Sequence, residues 1–436
     1  MTDAKDLSWW KLTTAALLAI FVGIGLSRFA YSPLIPVLIA EDWFTPAQTV
    51  YLGAANLAGY LFGALIGQQI AMRWQAKRAL RLMMLGATVA FFASATPLPF
   101  VWFFAWRFVS GLTGGSLMVL AAPTILPFVP EKRRGLSAGL IFSGVGSGTI
   151  LSGTLVPALV SVGPTVTWCV LGSLSLIATA CAWNWWPTEA PLVPAARSVR
   201  IGESGRGRLR DPQLVAVYVI YGLVAVGLVP HMVFLVDFVA RGLSSGLEVG
   251  GRYWVVFGIG ALLGPIIAGR SADTIGFASA LRWAIACQVI CVALPVFARS
   301  PVALIVSSLV IGGSVSGTVT LALGRTQEII ADPDDRKTAW SVATIVFALG
   351  QASAGYLFSY VFAATEGDYL VLFTIGSVAL SIALLVSLTP LGGSGRKRQP
   401  ARKRRRLPDV HECNREDFSL TQGDTMKWKK SRSGST

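Results

Sequence analysis

The sequence predicts an all-α membrane protein with twelve transmembrane helices in two pseudo-symmetric six-helix bundles. Three observations predict it. The 436-residue chain is 53% hydrophobic and only 14% charged, with a mean hydropathy of +0.62, whereas soluble domains carry about 25% charged residues. Twelve apolar runs each approach or exceed the ~20 residues that a bilayer core demands. The longest polar connection, residues 187–211, divides those runs six and six.

The first run, 12–39, is too long for a signal peptide and no small-residue cleavage site follows it, so it is retained. It carries Arg28 within "GIGLSRFAYSPLIP". The second, 48–70, has Gly59, Gly63 and Gly67 at four-residue spacing, which lets helices approach closely. The third, 79–96, follows a basic loop. The fourth, 98–129, is longer than a span needs and holds Pro123 and Pro127, so a kink or irregular turn is expected at its end. The fifth, 136–160, carries Gly144 and Gly148, and the sixth, 165–186, completes a first bundle over 1–186. The connection "PTEAPLVPAARSVRIGESGRGRLRD" has the Pro, Gly, Ser and Arg content of a linker. A second bundle over 212–389 follows, with runs at 212–239, 252–269, 279–297, 301–330, 337–363 and 369–389. Residues 390–436 lack apolar periodicity and are expected to be a disordered basic tail. They hold 13 of the 37 Lys and Arg and a net +8 of the total +15.

Orientation follows from positive charge in the short loops. With the N-terminus cytoplasmic, nineteen Lys and Arg fall in inside segments and three (Arg241, Arg252, Arg299) outside. Both termini are therefore expected in the cytoplasm. The halves also echo each other: "EKRRGLSAGLIFSGVG" at 131 aligns with "DRKTAWSVATIVFALG" at 335, an offset of 204. Internal repeats of this kind point to secondary transporters, whose sites lie near the membrane midplane between repeats.

Other chemistries find little support. Cys287 and Cys291 are one helical turn apart, but no His or carboxylate cluster accompanies them, so they read as small packing residues. The histidines are His231 and His411 alone, and no H-E-x-x-H occurs. No metal, cofactor or nucleic acid is expected.

Three motifs narrow the class. After the eighth span, "GRSADTIGFASAL" carries a G-x-x-x-D-x-x-G pattern through Gly269, Asp273 and Gly276. The loop after the second span, "GQQIAMRWQAKRAL", keeps Gly67 and the basic residues but has Ala71 in place of the acid. The fourth span reads "RFVSGLTGG", an R-x-x-x-G pattern through Arg107 and Gly111, and the fifth reads "GVGSGTILSG". As a set these resemble the major facilitator superfamily over residues 1 to about 390. R-F-x-Y-x-P-L-x-P on the first span and "AWSVATIVFALGQ" at 339 look like its YbfB/YjiJ-type branch. The resemblance implies that helices 1, 4, 7 and 10 line a central cavity. It also implies that helices 2, 5 and 8 form the moving interface between halves, and that Gly269, Asp273 and Gly276 belong to a gating loop.

Ionisable residues fall on those cavity helices. Arg28 is on the first, Arg107 on the fourth, His231 and Asp237 on the seventh, and Arg325 and Glu328 on the tenth. Intramembrane charge costs about 2.5 kcal/mol or more and usually faces a cavity or a partner. Arg28 and Arg107 lie deep in their spans, and adding 203 to Arg28 lands on His231, so the three are expected to form the core of the site. A guanidinium binds carboxylate or phosphate in a bidentate fork. An organic anion is therefore the expected ligand, with Tyr31 adding a hydroxyl or a stacking face. Proton coupling is assigned to His231, whose unperturbed pKa is about 6.5, to Asp237 or to Glu328.

Each residue has a structural alternative. Arg28 would satisfy carbonyls freed near Pro33 or snorkel outward, and Arg107 would stitch its helix to its neighbours. His231 would be a packing residue, Asp237 would pair with Arg241 four residues on, and Glu328 with Arg325. The expected function is proton-coupled export of a small organic anion by a monomer in the lipid bilayer of a bacterial inner membrane. Efflux of lipophilic or cationic drugs, a non-transporting receptor and a membrane enzyme are the alternatives.

Overall fold

The computed structural model describes residues 3–187, 211–330 and 332–389. All of the expected 187–211 linker except its two end residues, and the tail 390–436, lie outside the described residues. Among them the regular structure is helical. The chain runs α1 (Trp9–Ala40), α2 (Pro46–Trp74), α3 (Ala76–Ala93), α4 (Phe100–Phe128), α5 (Arg134–Ala158), α6 (Gly163–Ala182) and α7 (Pro212–Gly242). It continues through α8 (Leu247–Ile275), α9 (Phe277–Phe297), α10 (Pro301–Ile329), α11 (Thr338–Ala364) and α12 (Tyr369–Leu388). Eleven of these are long and apolar enough to cross a membrane. The twelfth, α3, falls outside that count: its eighteen residues include Lys77, Arg78 and Arg81.

Several helices begin where local chemistry starts them. Thr45 caps α2 by accepting from the Gln48 backbone N–H at 3.3 Å, and its own N–H donates to Gln48 Oε1 at 3.0 Å. Pro46 then occupies the first helical position, where its missing N–H costs nothing. Asp211 before Pro212 and Ser300 before Pro301 repeat the device at α7 and α10.

Two helices are interrupted. α1 passes through a π-helical segment, Phe21–Leu26, and an irregular turn before resuming at Tyr31. α7 contains π segments at Pro230–Phe234 and Phe238–Gly242. Such segments disturb the regular backbone ladder and are frequent at functional sites. α4 remains helical through Pro123 and tightens into a 3₁₀ turn at Leu126–Phe128, the irregular end that its prolines predict.

The eighth span is longer than the sequence suggests. α8 continues to Ile275 because nothing stops it before Gly276, whose φ of +81° needs no β-carbon. Gly269 and Asp273 therefore sit on helix, not in a loop. The corresponding turn after α2 is made by Gln75 at φ +69°, a strained position for a non-glycine residue.

The internal repeat becomes exact in register across α2–α4 and α8–α10, at an offset of 201. A β-carbon on Gly59 would strike the Phe108 carbonyl and one on Gly260 the Leu309 carbonyl; Gly63 faces Leu112 as Gly264 faces Gly313. The resemblance assigns these glycines to the interface between halves, and the structure does not place them there. They seat α2 on α4 and α8 on α10. Gly144 and Gly148 of α5 likewise pack on α1, against the Leu17 carbonyl and Gly25. The contact between the N- and C-terminal halves uses other glycines: Gly146 against Leu262 and the Gly258 carbonyl, and Gly153 against Gly251. The outer faces are apolar, with Phe297 86% and Trp283 68% exposed, as expected for surfaces facing lipid hydrocarbon.

Candidate substrate site

The break in α1 leaves the Ser27 carbonyl to be satisfied from outside its own helix. Three groups donate to it: Arg107 Nη1 at 2.9 Å, Ser110 Oγ at 3.2 Å and Asn56 Nδ2 at 3.4 Å. Asn56 also donates to the Arg107 carbonyl at 3.3 Å. The Arg107 guanidinium carbon lies 4.0 Å from the centroid of the Tyr31 ring, a close cation–π contact. Arg107 is only 3% exposed and its Nε has no partner. It stitches α4 to the broken part of α1, and Gly111, one turn on, lets α2 bring Asn56 into the same network.

Arg28 is aimed differently. It is half-buried, its Nη2 donates to Gln351 Oε1 on α11 at 2.8 Å, and its guanidinium lies 5.1 Å from the Tyr60 ring centroid. Among the described residues, neither Arg28 nor Arg107 forms an ion pair, whereas Asp237 pairs with Arg241, Glu248 with Arg252 and Glu328 with Arg325. Both arginines, with Tyr31, Asn56 and Met232, line a cavity of about 20 Å³, room for roughly one water. Tyr31 donates its hydroxyl to the Thr49 carbonyl at 2.8 Å and presents its ring to Arg107.

His231 does not join them. Its Nε2 lies 2.7 Å from Ser307 Oγ, and that hydroxyl donates to the Cys291 carbonyl at 2.6 Å. The carbonyl can only accept, so the serine oxygen receives the Nε2–H and the tautomer is fixed. The ring meets Phe373 edge-on at 5.0 Å. His231 thus points into the packing of α9, α10 and α12, while its neighbour Met232 lines the cavity. The offset of 203 that pairs Arg28 with His231 is one short of the 204 that relates the 131 and 335 segments, and 204 carries Arg28 onto Met232, the residue that lines the cavity.

Asp237 is fully buried and held in a closed triad. Arg241 grips both oxygens, at 2.5 and 2.7 Å, and the Tyr369 hydroxyl of α12 donates to Oδ2 at 2.6 Å. It is the one buried carboxylate among the described residues. Glu328 is exposed and pairs with Arg325 at 2.9 Å. Gly269, Asp273 and Gly276 lie at the far end of α8, away from this cavity. The chain also holds two G-x-S-x-G matches: Gly242–Gly246, whose Ser244 is exposed in the turn after α7, and Gly135–Gly139. Its Ser137 is buried and bonded to Thr13 Oγ1 at 2.7 Å, with no histidine on its helix or beside it in the sequence.

Sequence reasoning missed Gln351 and Asn56. Gln351 ends the motif "AWSVATIVFALGQ", so a signal was present; Asn56, a lone amide in an apolar run, was the other available cue.

A bundle of long apolar helices around a small cationic cavity is the build of a membrane transporter, and the solved structures it resembles are transporters. The fold matches a D-xylose–proton symporter with a TM-score of 0.67 at 14% identity, covering 87% of this chain and 97% of that one. It matches the nucleoside transporter NupG equally, with a TM-score of 0.67 at 13% identity, covering 86% and 98%. The chain belongs to the family described as "Uncharacterised MFS-type transporter YbfB", which it matches over residues 20–388. It is 25% identical over 390 residues to a chloramphenicol resistance protein of Streptomyces lividans, covering 85% of this chain and 94% of that protein. A benzoate transport protein of Acinetobacter baylyi is 26% identical over 168 residues, 37% of this chain and 36% of that protein. The protein is thus a multi-pass membrane protein of a transporter family, not an enzyme.

Proposed function

We propose that this protein moves a small organic anion across a bacterial inner membrane by alternating access, outward and coupled to protons. One observation carries the reading: two guanidinium groups sit within spanning helices beside one cavity, and among the described residues no carboxylate forms an ion pair with either. A buried unpaired charge is costly, and a site that keeps such charge is suited to an anionic ligand. Arg28 has donors to spare and contacts the ligand. Arg107, already committed to the Ser27 carbonyl, holds the break in α1 that presents Arg28, and Tyr31 is the adjoining face. Asp237 is the proton-coupling residue, because it is the one buried carboxylate among the described residues and stands on a spanning helix; His231 is fixed in packing and Glu328 is exposed.

In the same reading α3 is the twelfth span, its basic first turns at the cytoplasmic surface. The halves 1–186 and 212–389 are six-helix bundles joined by a cytoplasmic linker at 187–211. Both termini and the 390–436 tail are cytoplasmic, the gating turn at Gly269, Asp273 and Gly276 faces the same side, and the unit is a monomer.

The similarity to a chloramphenicol resistance protein favours a second reading, extrusion of a neutral aromatic drug through the same cavity. The test is proton flux in proteoliposomes under a pH gradient, challenged in turn with benzoate, chloramphenicol and a lipophilic cation. Collapse of the gradient by benzoate supports the anion reading. A response to chloramphenicol or the cation, with none to benzoate or other carboxylates, contradicts it.

A further inference from the structure

The two sequence motifs set apart as unusual, "GIGLSRFAYSPLIP" on α1 and "AWSVATIVFALGQ" on α11, meet in a single hydrogen bond: Arg28 Nη2 to Gln351 Oε1, 2.8 Å, across 323 residues of chain. Gln351 is 2% exposed. Its other end donates to Met232 Sδ at 3.6 Å, a weak acceptor, so its amide is oriented with the oxygen toward the guanidinium.

An amide oxygen accepting from a guanidinium N–H is the neutral counterpart of a carboxylate oxygen doing so. The place that a ligand's anionic oxygen would take at Nη2 is therefore already filled, from the opposite half of the chain. Two other side-chain hydrogen bonds join the halves among the described residues. Ser32 Oγ donates to the Met232 carbonyl at 2.5 Å and Trp254 Nε1 to Ser152 Oγ at 3.2 Å. Met232 thus takes Ser32 on its carbonyl and Gln351 on its sulfur, and the tie through Gln351 ends on the half-buried arginine beside the cavity.

We infer that Gln351 is an internal occupant of the Arg28 site: it tethers the C-terminal half to Arg28, and a bound anion takes its place. The exchange favours the anion, because a carboxylate brings an opposite charge and two oxygens to the guanidinium's bidentate fork, where the neutral amide offers a single oxygen. Occupancy of the site and release of the tether become one event, which gives a ligand the differential affinity for two conformations that alternating access requires. The identity of the displacing ligand rests on the anion reading; the tether does not.

The experiment uses the full chain with its native cysteines replaced and spin labels at Glu41→Cys and Thr365→Cys, exposed positions that follow α1 and α11 at the same membrane surface. Distances between the labels are measured without ligand, and benzoate-driven flux is measured in parallel. Gln351→Ala is expected to shift the ligand-free population toward longer distances and to lower the benzoate KM several-fold. Gln351→Glu supplies a permanent carboxylate. It is expected to hold the population short and to raise KM at least tenfold at neutral pH. If both variants keep the parent distance distribution, the tether is overturned, whatever benzoate does. If the distances shift as stated while neither benzoate nor other carboxylates drive flux, the tether stands and the anion reading alone fails.

Discussion

The R-x-x-x-G pattern on α4 acquires a physical meaning that Gly111→Ala tests. A β-carbon there would fall on the Asn56 carbonyl oxygen, 2.8 Å from the Asn56 carbonyl carbon and 2.9 Å from the Tyr60 nitrogen. Carbon contacts settle near 3.5–4.0 Å, so α2 and α4 must separate by ~1 Å. All the near atoms are helical backbone, which cannot rotate aside. Overpacking of this kind costs about 1–3 kcal/mol, and the rigid neighbours favour the upper half of that range. At ~2 °C per kcal/mol for a chain of this size, the thermal midpoint in detergent falls by about 4–6 °C.

The functional consequence is larger than the stability loss. The Asn56 Nδ2 bonds to the Ser27 carbonyl, the Arg107 carbonyl and Ser110 Oγ are 3.3–3.4 Å long and do not survive such a shift. Transport therefore falls at temperatures where the variant is still folded. Gly139→Ala is the control, since a β-carbon there meets nothing within 4 Å. It gains up to about 1 kcal/mol from helix propensity. A Gly111→Ala protein with the parent midpoint and full flux refutes the close α2–α4 seam as the support of the site.

Three further outcomes follow from named contacts. Gln75→Gly relieves a left-handed backbone costing roughly 1–2 kcal/mol in an L-residue, so a thermal melt in detergent should show a midpoint raised by ~2 °C. Asp237→Asn leaves Arg241 without its anion. With Arg241 30% exposed, the loss takes the low end of the range for a broken buried pair, about 3 kcal/mol. If Asp237 also carries the proton, gradient-driven accumulation in vesicles stops while gradient-independent exchange continues; a purely structural Asp237 loses stability and keeps both. His231→Phe gives up one hydrogen bond, about 1 kcal/mol, and leaves the pH profile of flux unchanged, because the ring faces Ser307 and Phe373 and not the cavity. A displaced pH profile would return His231 to the transport site.

The spans were legible because length and hydropathy are properties of a segment alone, and the proline-initiated helices because their caps are local. The i,i+4 pair of Asp237 and Arg241 was legible for the same reason. The orientation of glycines was not. Gly59 and Gly146 both lie in glycine-spaced apolar spans, yet one seats α2 on α4 and the other meets α8 across the halves; the azimuth of each helix decides it. The π segments in α1 and α7 shift residues around the helix axis without any change in composition. An offset of 203 sent His231 toward Arg28; the 204 of the repeated segments at 131 and 335 gives Met232, which takes that place in space. Gln351 escaped notice because a neutral amide carries no charge signal, although it completes the contact that Arg28 makes.

The central claim is that Arg28 is the ligand-facing cation of an anion site. The most direct measurement compares benzoate-driven proton flux in proteoliposomes of the parent chain, Arg28→Lys and Arg28→Gln, each reconstituted at matched amounts of folded protein. The account predicts flux in the parent, a reduced rate with a raised KM for Arg28→Lys, which keeps the charge and loses the fork, and none above empty vesicles for Arg28→Gln. Parent-level flux in Arg28→Gln would make Arg28 a structural tie to Gln351 and contradict the account.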